Sequence, residues 1–336
     1  MKFKKEYIIL VLVIIALSAY LYMRSADRTL YELPEIPQVD EKALTKLEII
    51  RNDATVVLSK KDDKWYIAPA EYPADANKVR DMLKAISNLQ LTALVSESKN
   101  YNRYDLAQEH KITVKASQGG ELKLDIAVGK TAPSFRHTFV IPAGDDRVFH
   151  ARGNLKNIFD VTVDALRDKT VLTLKQTDIQ QINIRHQDQS LAFTRTQVPA
   201  EVKAPDEKQD TAASPPAPKQ VWQAAGGQPV NESALTQLLN ALADLRCEKF
   251  IDDRQKTDFT SPLFTLELKS DRDYTLAIFP KSGENDPNYP AVSSGSDYPF
   301  ELSAGQVERM MKEPSEFLQA PPSDQKNPEP AKTESQ

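Results

Sequence analysis

The feature that most limits what this chain can fold into is a pattern that occurs twice. Leu47–Leu58 alternates apolar and polar residues on either side of a polar turn around Asp53, and Ile182–Phe193 repeats the arrangement 135 residues later around Asp188. Alternation with a period of two, interrupted by turn residues, reads as a pair of neighbouring strands. Val79, Met82, Leu83, Ile86 and Leu89 then have the i, i+3, i+4, i+7, i+10 spacing of one apolar helix face. Leu235, Leu238, Leu239, Leu242 and Leu245 repeat it position for position at a shift of 156. Asp75 and Asn231, also 156 apart, stand where a side-chain oxygen would cap the first turn of each helix. A third pair follows at a shift of 152: Lys111–Ala116 and Leu122–Ile126 flank Gln118-Gly119-Gly120, while Phe264–Leu268 and Tyr274–Ile278 flank Asp271–Asp273. Both read as hairpins.

Self-similarity of this kind means that one supersecondary plan has been used twice. The only two tryptophans, Trp65 and Trp222, fall at matching places, 157 residues apart. Further strands are expected at 137–142 with 147–151 and at 289–293 with 298–302. Closing helices are expected from Asn154 to Leu166 and from Ser303 to Glu313, where Pro314 would end the second. Each unit reads β-β-α-β-β-β-β-α. Short turns between successive strands imply antiparallel sheets with helices packed on them, an α+β class.

Two segments have the composition of a solvated chain. Thr196–Lys219 holds five prolines among small and charged residues, and Gln319–Gln336 holds four prolines and no large apolar side chain. Neither can bury enough apolar surface to offset the entropy of ordering. The expected layout is 1–24 a cytoplasmic tip and anchor, 25–45 an extended connector, 46–170 the first unit, 171–318 the second with a disordered insert at 196–219, and 319–336 a disordered tail.

The anchor rests on the N-terminal run. Of the 336 residues 27% are charged, yet none lies between Glu6 and Arg24. Tyr7–Met23 is 17 residues, and at about 1.5 Å per residue it would span roughly 25 Å, the short end for a bilayer core of about 30 Å. Tyr7, Tyr20 and Tyr22 suit interfacial belts, and Lys2, Lys4 and Lys5 place the N-terminus in the cytoplasm. This reads as a single N-terminal transmembrane helix in a bacterial inner membrane, with the bulk of the chain periplasmic or otherwise extracytoplasmic. The competing reading is a cleaved signal peptide with a site at Ala16-Leu17-Ser18, but apolar character continues through Leu21, Tyr22 and Met23.

The tandem units, with Lys64-Trp65-Tyr66, the capped leucine-rich helix, Arg103–Leu106 leading to a strand, and Val128-Gly129-Lys130 after the hairpin, resemble an uncharacterised bacterial domain family. That family is often encoded beside gliding-motility-type ABC transporters. The resemblance covers roughly residues 40–318. Asp105 and His110 stand where the family pattern has a Gly and a Pro, and the second copy carries Asp258–Pro262. No catalytic residues are established for the family. The resemblance implies a membrane-anchored accessory role in the cell envelope, with an ABC transporter permease or other envelope protein as partner.

The residues themselves point to little chemistry. A net charge of −5 argues against a surface built for nucleic acid, and the single Cys247 excludes a disulfide framework or a cysteine-based zinc site. Gly129-Lys130-Thr131 has the tail of a phosphate-binding loop, but Leu124 occupies the position of the loop's first glycine and Pro133 follows. Among His110, His137, His150 and His186 no two are four residues apart, although His137 and His150 could meet across adjacent strands. The pairs Asp62-Asp63, Asp145-Asp146, Asp252-Asp253 and Asp271/Asp273 fall at expected turns, where Asp bonds local backbone. Trp65 and Trp222 read as core or sheet-edge residues, and Asn231 as a cap rather than a glycosylation acceptor. No catalytic, cofactor-binding or metal residue is assigned. Three roles stay open: a non-enzymatic accessory or scaffold subunit, an envelope ligand-binding module with a cleft between the units, and an envelope hydrolase with an unrecognised site.

Overall fold

The computed structural model describes residues 5–26, 31–52, 54–198 and 219–319. The chain divides into two units, Met1–Asp168 and Lys169–Gln336.

In the first unit a helix α1 (Lys5–Ala26) precedes β1 (Lys46–Ile50), β2 (Thr55–Lys61), β3 (Lys64–Ala68) and β4 (Tyr72–Pro73). Helix α2 (Ala76–Ser87) follows, then β5 (Leu91–Ser96), β6 (Ile112–Gln118), β7 (Glu121–Thr131), β8 (His137–Pro142), β9 (Val148–Arg152), α3 (Leu155–Phe159) and α4 (Val163–Leu166). The nine strands form one sheet in the order β4-β3-β2-β1-β6-β7-β8-β9-β5. Helix α2 therefore carries the chain from one edge of the sheet to the other. Its Val79, Met82, Leu83 and Ile86 are buried, and they join Leu47, Ile49, Leu58, Val114, Ile126 and Phe149 of the strands in one core. Burying such side chains stabilises by about 1.5–3 kcal/mol each. The Asp75 carboxylate accepts from the N–H groups of Asn77 and Lys78 at the helix start.

The second unit runs β10 (Thr170–Thr173), β11 (Gln181–His186), β12 (Gln189–Val198), β13 (Lys219–Ala224), α5 (Glu232–Ala243), β14 (Asp244–Arg246) and β15 (Lys249–Phe250). It closes with β16 (Phe264–Lys269), β17 (Asp273–Ile278), β18 (Asn288–Ser293), β19 (Phe300–Ser303), α6 (Ala304–Met310) and a 3₁₀ turn at Pro314–Phe317. Its main sheet has the order β13-β12-β11-β16-β17-β18-β19-β15, the first unit's sequence of strands without β4. Strands β10 and β14 pair separately. Both units are closed in one way. The Asp75 N–H donates to the Leu166 carbonyl and the Asp168 N–H to that of Pro73, while Asn231 donates to Phe317 and Gln319 to Pro229.

Several expectations need correction. The α+β fold headed by a single transmembrane helix is overturned. The described residues are mostly antiparallel β-sheet, in three sheets with six helices, and among them no helix is long and apolar enough to cross a membrane. The apolar side chains that hold the described chain together lie instead at alternate positions of the strands and on one face of α2 and α5, in the two sheet cores. There are also more strands than expected, because β3, β4 and β5 are too short or too irregular to show a period. Strand β3 is set by a two-residue turn in which Asp62 and Asp63 hold φ of 46° and 64°. The expected insert is narrower than 196–219, since Thr196–Val198 and Lys219 pair as strand ends. Residues 199–218, the turn residue Asp53 and most of the tail, 320–336, lie outside the described residues. The closing helix of the first unit is broken at Asp160–Thr162, where the Thr162 hydroxyl caps α4.

Candidate functional site

The most distinctive surface of the first unit is the β7–β8 connection and the strand beside it. Strand β7 ends at Thr131, and the Phe135 N–H closes a turn on the Ala132 carbonyl at 2.8 Å. Phe135 sits there at φ 56° with 78% of its surface exposed. A bulky side chain in the left-handed region is strained, and strain of this sort collects at functional positions. The turn is fixed from both sides: Ala132 donates to the His137 carbonyl and Gly153 to that of Arg136, each at 2.8 Å.

His137 and His150 lie beside this turn. In the β8–β9 register Phe139 faces His150 and His137 faces Arg152, so the two imidazoles are diagonal neighbours on one face of the sheet. Their rings stack with centroids 5.3 Å apart and planes 25° from parallel. Phe139 stands 4.9 Å from His150 and Tyr104 stands 4.9 Å from Phe139. The four rings form a column rising from a small satellite core of Leu106, Ala132, Phe139 and Val148. Burial, and secondarily the neighbouring His137, hold the His150 imidazole below its ordinary pKa of 6.5. A folded pKa below the unfolded one means that the unfolded chain takes up the proton first. The stability this group contributes is complete above pH 6.5 and is lost as the pH falls through its lower folded value. The urea midpoint should therefore decline between pH 8 and pH 5, and decline less in His150→Gln; equal slopes in the two proteins would refute the assignment.

The pair is not arranged for hydrolysis. The Ser134 hydroxyl is 3.4 Å from His137 Nδ1, at the long limit for a hydrogen bond, and among the described residues neither ring is bonded to a carboxylate that would orient it. Nor does any group of three or more His, Cys, Asp or Glu stand ready to hold a metal among the described residues. His110 lies in the turn before β6, its N–H on the Ala107 carbonyl. His186 ends β11, with Nδ1 3.6 Å from Glu313.

The remaining candidates take structural places. Gly129-Lys130-Thr131 belongs to strand β7, not to a loop. A Cβ on Gly129 would stand 2.2 Å from the Tyr104 carbonyl oxygen, so the glycine is there for close packing. Asp145 pairs with Arg147 at 2.8 Å, which lowers its pKa chiefly through that hydrogen bond, whereas Asp146 turns to Lys99 at 2.6 Å. Asp63 pairs with Lys60, Asp271 accepts from Ser270 and the Arg272 N–H, and Asp252-Asp253 follow β15. Trp65 packs half-buried on the first core and Trp222 is part of the second, with the Arg195 guanidinium 4.9 Å from its ring centre. Asn231 caps α5 through Ala234 N–H, and Cys247 is buried. The sequence reading missed Phe135, although a large aromatic between Pro133-Ser134 and a strand was a usable signal.

The fold and this surface define a protein built from one antiparallel eight-strand plan used twice, with a presented aromatic and a stacked histidine pair on the first copy. The chain belongs to the family described as Domain of unknown function (DUF4340), whose model matches residues 65–262. That match runs from β3 of the first unit to the loop before β16 of the second, so the family pattern takes in parts of both copies. No curated protein and no solved structure matches the chain.

Proposed function

We propose that this chain is a non-enzymatic accessory or scaffold protein of a bacterial cell-envelope assembly of the ABC-transport kind, and that it docks a protein partner on the Phe135 turn. The observation that carries the docking is Phe135 itself, strained, rigidly framed and 78% exposed. An aromatic anchor beside Arg136 and the two imidazoles has the composition of a binding hot spot, since aromatic and Arg side chains dominate interface energetics. The transporter class rests on the resemblance in the sequence alone.

The test is affinity purification of the full chain in mild detergent from its native cells, followed by identification of what is retained. The expected result is recovery of a permease or ATPase subunit that falls at least tenfold with Phe135→Ala. Thermal stability should be unchanged in that variant, because the side chain buries little and exposed substitutions move stability by only about 0.5 kcal/mol. Repeated recovery of no such subunit, or equal recovery by the variant, would refute the reading.

A further inference from the structure

The two copies differ most where the second has something the first lacks. Strands β10 and β14 form a separate two-stranded sheet, and no such sheet accompanies the first unit's strands among the described residues. Its strand β10 is pressed onto the end of β18. The Ser293 hydroxyl donates to the Val171 carbonyl, and Gly295 packs so closely that a Cβ there would stand 2.6 Å from the Val171 oxygen. Pairing of β18 with β17 ends at this point. Their ladder runs only from Ile278↔Ala291 to Leu276↔Ser293, with Ser294 N–H on the Thr275 carbonyl as the last backbone contact. What opens between the start of β17 and the end of β10 is a cleft of about 220 Å³ lined by Thr170, Thr173, Arg272, Asp273, Tyr274 and Ser294, with Leu172 and Gly295 behind them.

The lining is rich in donors. Arg272 is held in place by Nε donating to the Tyr274 hydroxyl at 2.8 Å and by lying 4.8 Å from that ring's centre. Its two Nη groups make no hydrogen bond among the described residues. Because Thr275 turns its N–H and C=O toward β18, strand alternation turns those of Asp273 toward the same side, which is the cleft. The Ser294 oxygen accepts from the Thr275 N–H at 3.0 Å, leaving its proton to donate. Thr170 accepts from Arg246 at 3.2 Å, and that brings a second guanidinium close. A fixed guanidinium fork, a main-chain N–H and hydroxyls converging on one small space recognise an oxyanion. The Asp273 carboxylate at the rim adds an acceptor for a neighbouring hydroxyl or amine.

We infer that the cleft between β10 and β17 binds the carboxylate or phosphate group of a small polar molecule that carries a hydroxyl or amine beside it. At about 220 Å³ the space is below the roughly 300–1,000 Å³ of drug-sized pockets, so the ligand is the size of a single sugar or amino acid. This site stands on the second unit alone and does not depend on the docking reading of Phe135.

The test is titration of the full chain with inorganic phosphate and, separately, with sodium acetate, followed by the amide resonances of Gly295, Ser294 and Thr173. Saturating shifts with either anion are expected, weakened at least tenfold in Arg272→Gly, which removes the guanidinium, and only partly in Arg272→Lys, which keeps the charge but loses the fork. Saturation by phosphate alone assigns a phosphoryl ligand, and saturation by acetate alone a carboxylate. Should Arg272→Gly fail to fold, Thr173→Val takes its place, since it removes a hydroxyl without touching the charge. No saturating shift with either anion, or unchanged affinity in the folded variants, would overturn the inference.

Discussion

Replacing Gly129 with alanine should cost the first unit about 3 kcal/mol of stability, more than any other single-methyl change in it. The residue lies inside β7, where the β7–β8 register shifts between Val128 and Thr131. A Cβ would meet the Tyr104 carbonyl oxygen at 2.2 Å and Leu106 Cγ at 2.8 Å. The first of these is backbone, held by the 3₁₀ turn Tyr101–Tyr104 and by the Leu106 N–H on the Tyr101 carbonyl at 3.0 Å, so it cannot swing away as a flexible side chain would. Either β7 or the turn must move, and the satellite core of Leu106, Phe139 and Val148 moves with it. Gly305 supplies the control. It sits in α6 with no positive φ and with nothing within 4 Å of the place a methyl would take, so Gly305→Ala should be neutral or stabilising by up to about 1 kcal/mol. Urea unfolding followed by Trp65 fluorescence in a Trp222→Phe background measures the first unit's response to Gly129→Ala, and Trp222 fluorescence in a Trp65→Phe background the second unit's response to Gly305→Ala. A Gly129→Ala midpoint equal to that of its parent would refute the packing argument.

Phe317→Ala should lower the second unit's stability by about 4 kcal/mol. Phe317 is fully buried and meets Phe193 edge to face, with ring centres 6.4 Å apart. It also carries the carbonyl that accepts the Asn231 N–H at the start of α5. Truncating it removes the largest side chain that the closing segment contributes, and leaves a cavity beside the strand pair β11–β12. The matching residue in the first unit's closure is Leu166, also fully buried, so the closing segment fills the core in both copies. The measurement is urea unfolding followed by Trp222 fluorescence in a Trp65→Phe background. A loss under 1 kcal/mol would mean that the segment is dispensable to the core, contrary to its burial.

The helices and hairpins were legible because their signals are local. Leu235, Leu238, Leu239 and Leu242 are buried on one face of α5, as a period of 3.6 requires, and Asp75 and Asn231 accept from first-turn N–H groups. The alternation in 47–50 and 182–186 is the burial pattern of β1 and β11. Strands of two or three residues, such as β4, β14 and β15, are too short to carry a period and form because neighbours supply their hydrogen bonds. The candidate surfaces were less visible. That His137 and His150 could meet followed from adjacent strands, but their stacking depends on the register. The cleft beside Arg272 could not be read at all, since its walls, β10 and the start of β17, lie about 100 residues apart in sequence.

By itself the sequence determined that one plan is used twice, where its two long core helices begin and which of their faces turn inward. Each of these depends on residues a few positions apart or on direct self-comparison. Only the tertiary structure decided the order of the strands, the carriage of the chain across each sheet by α2 and α5, the need for glycine at 129 and the opening of a cleft beside β10 in the second copy. Those features depend on pairings between distant segments, whose registers are chosen by burial and backbone hydrogen bonding across the whole unit.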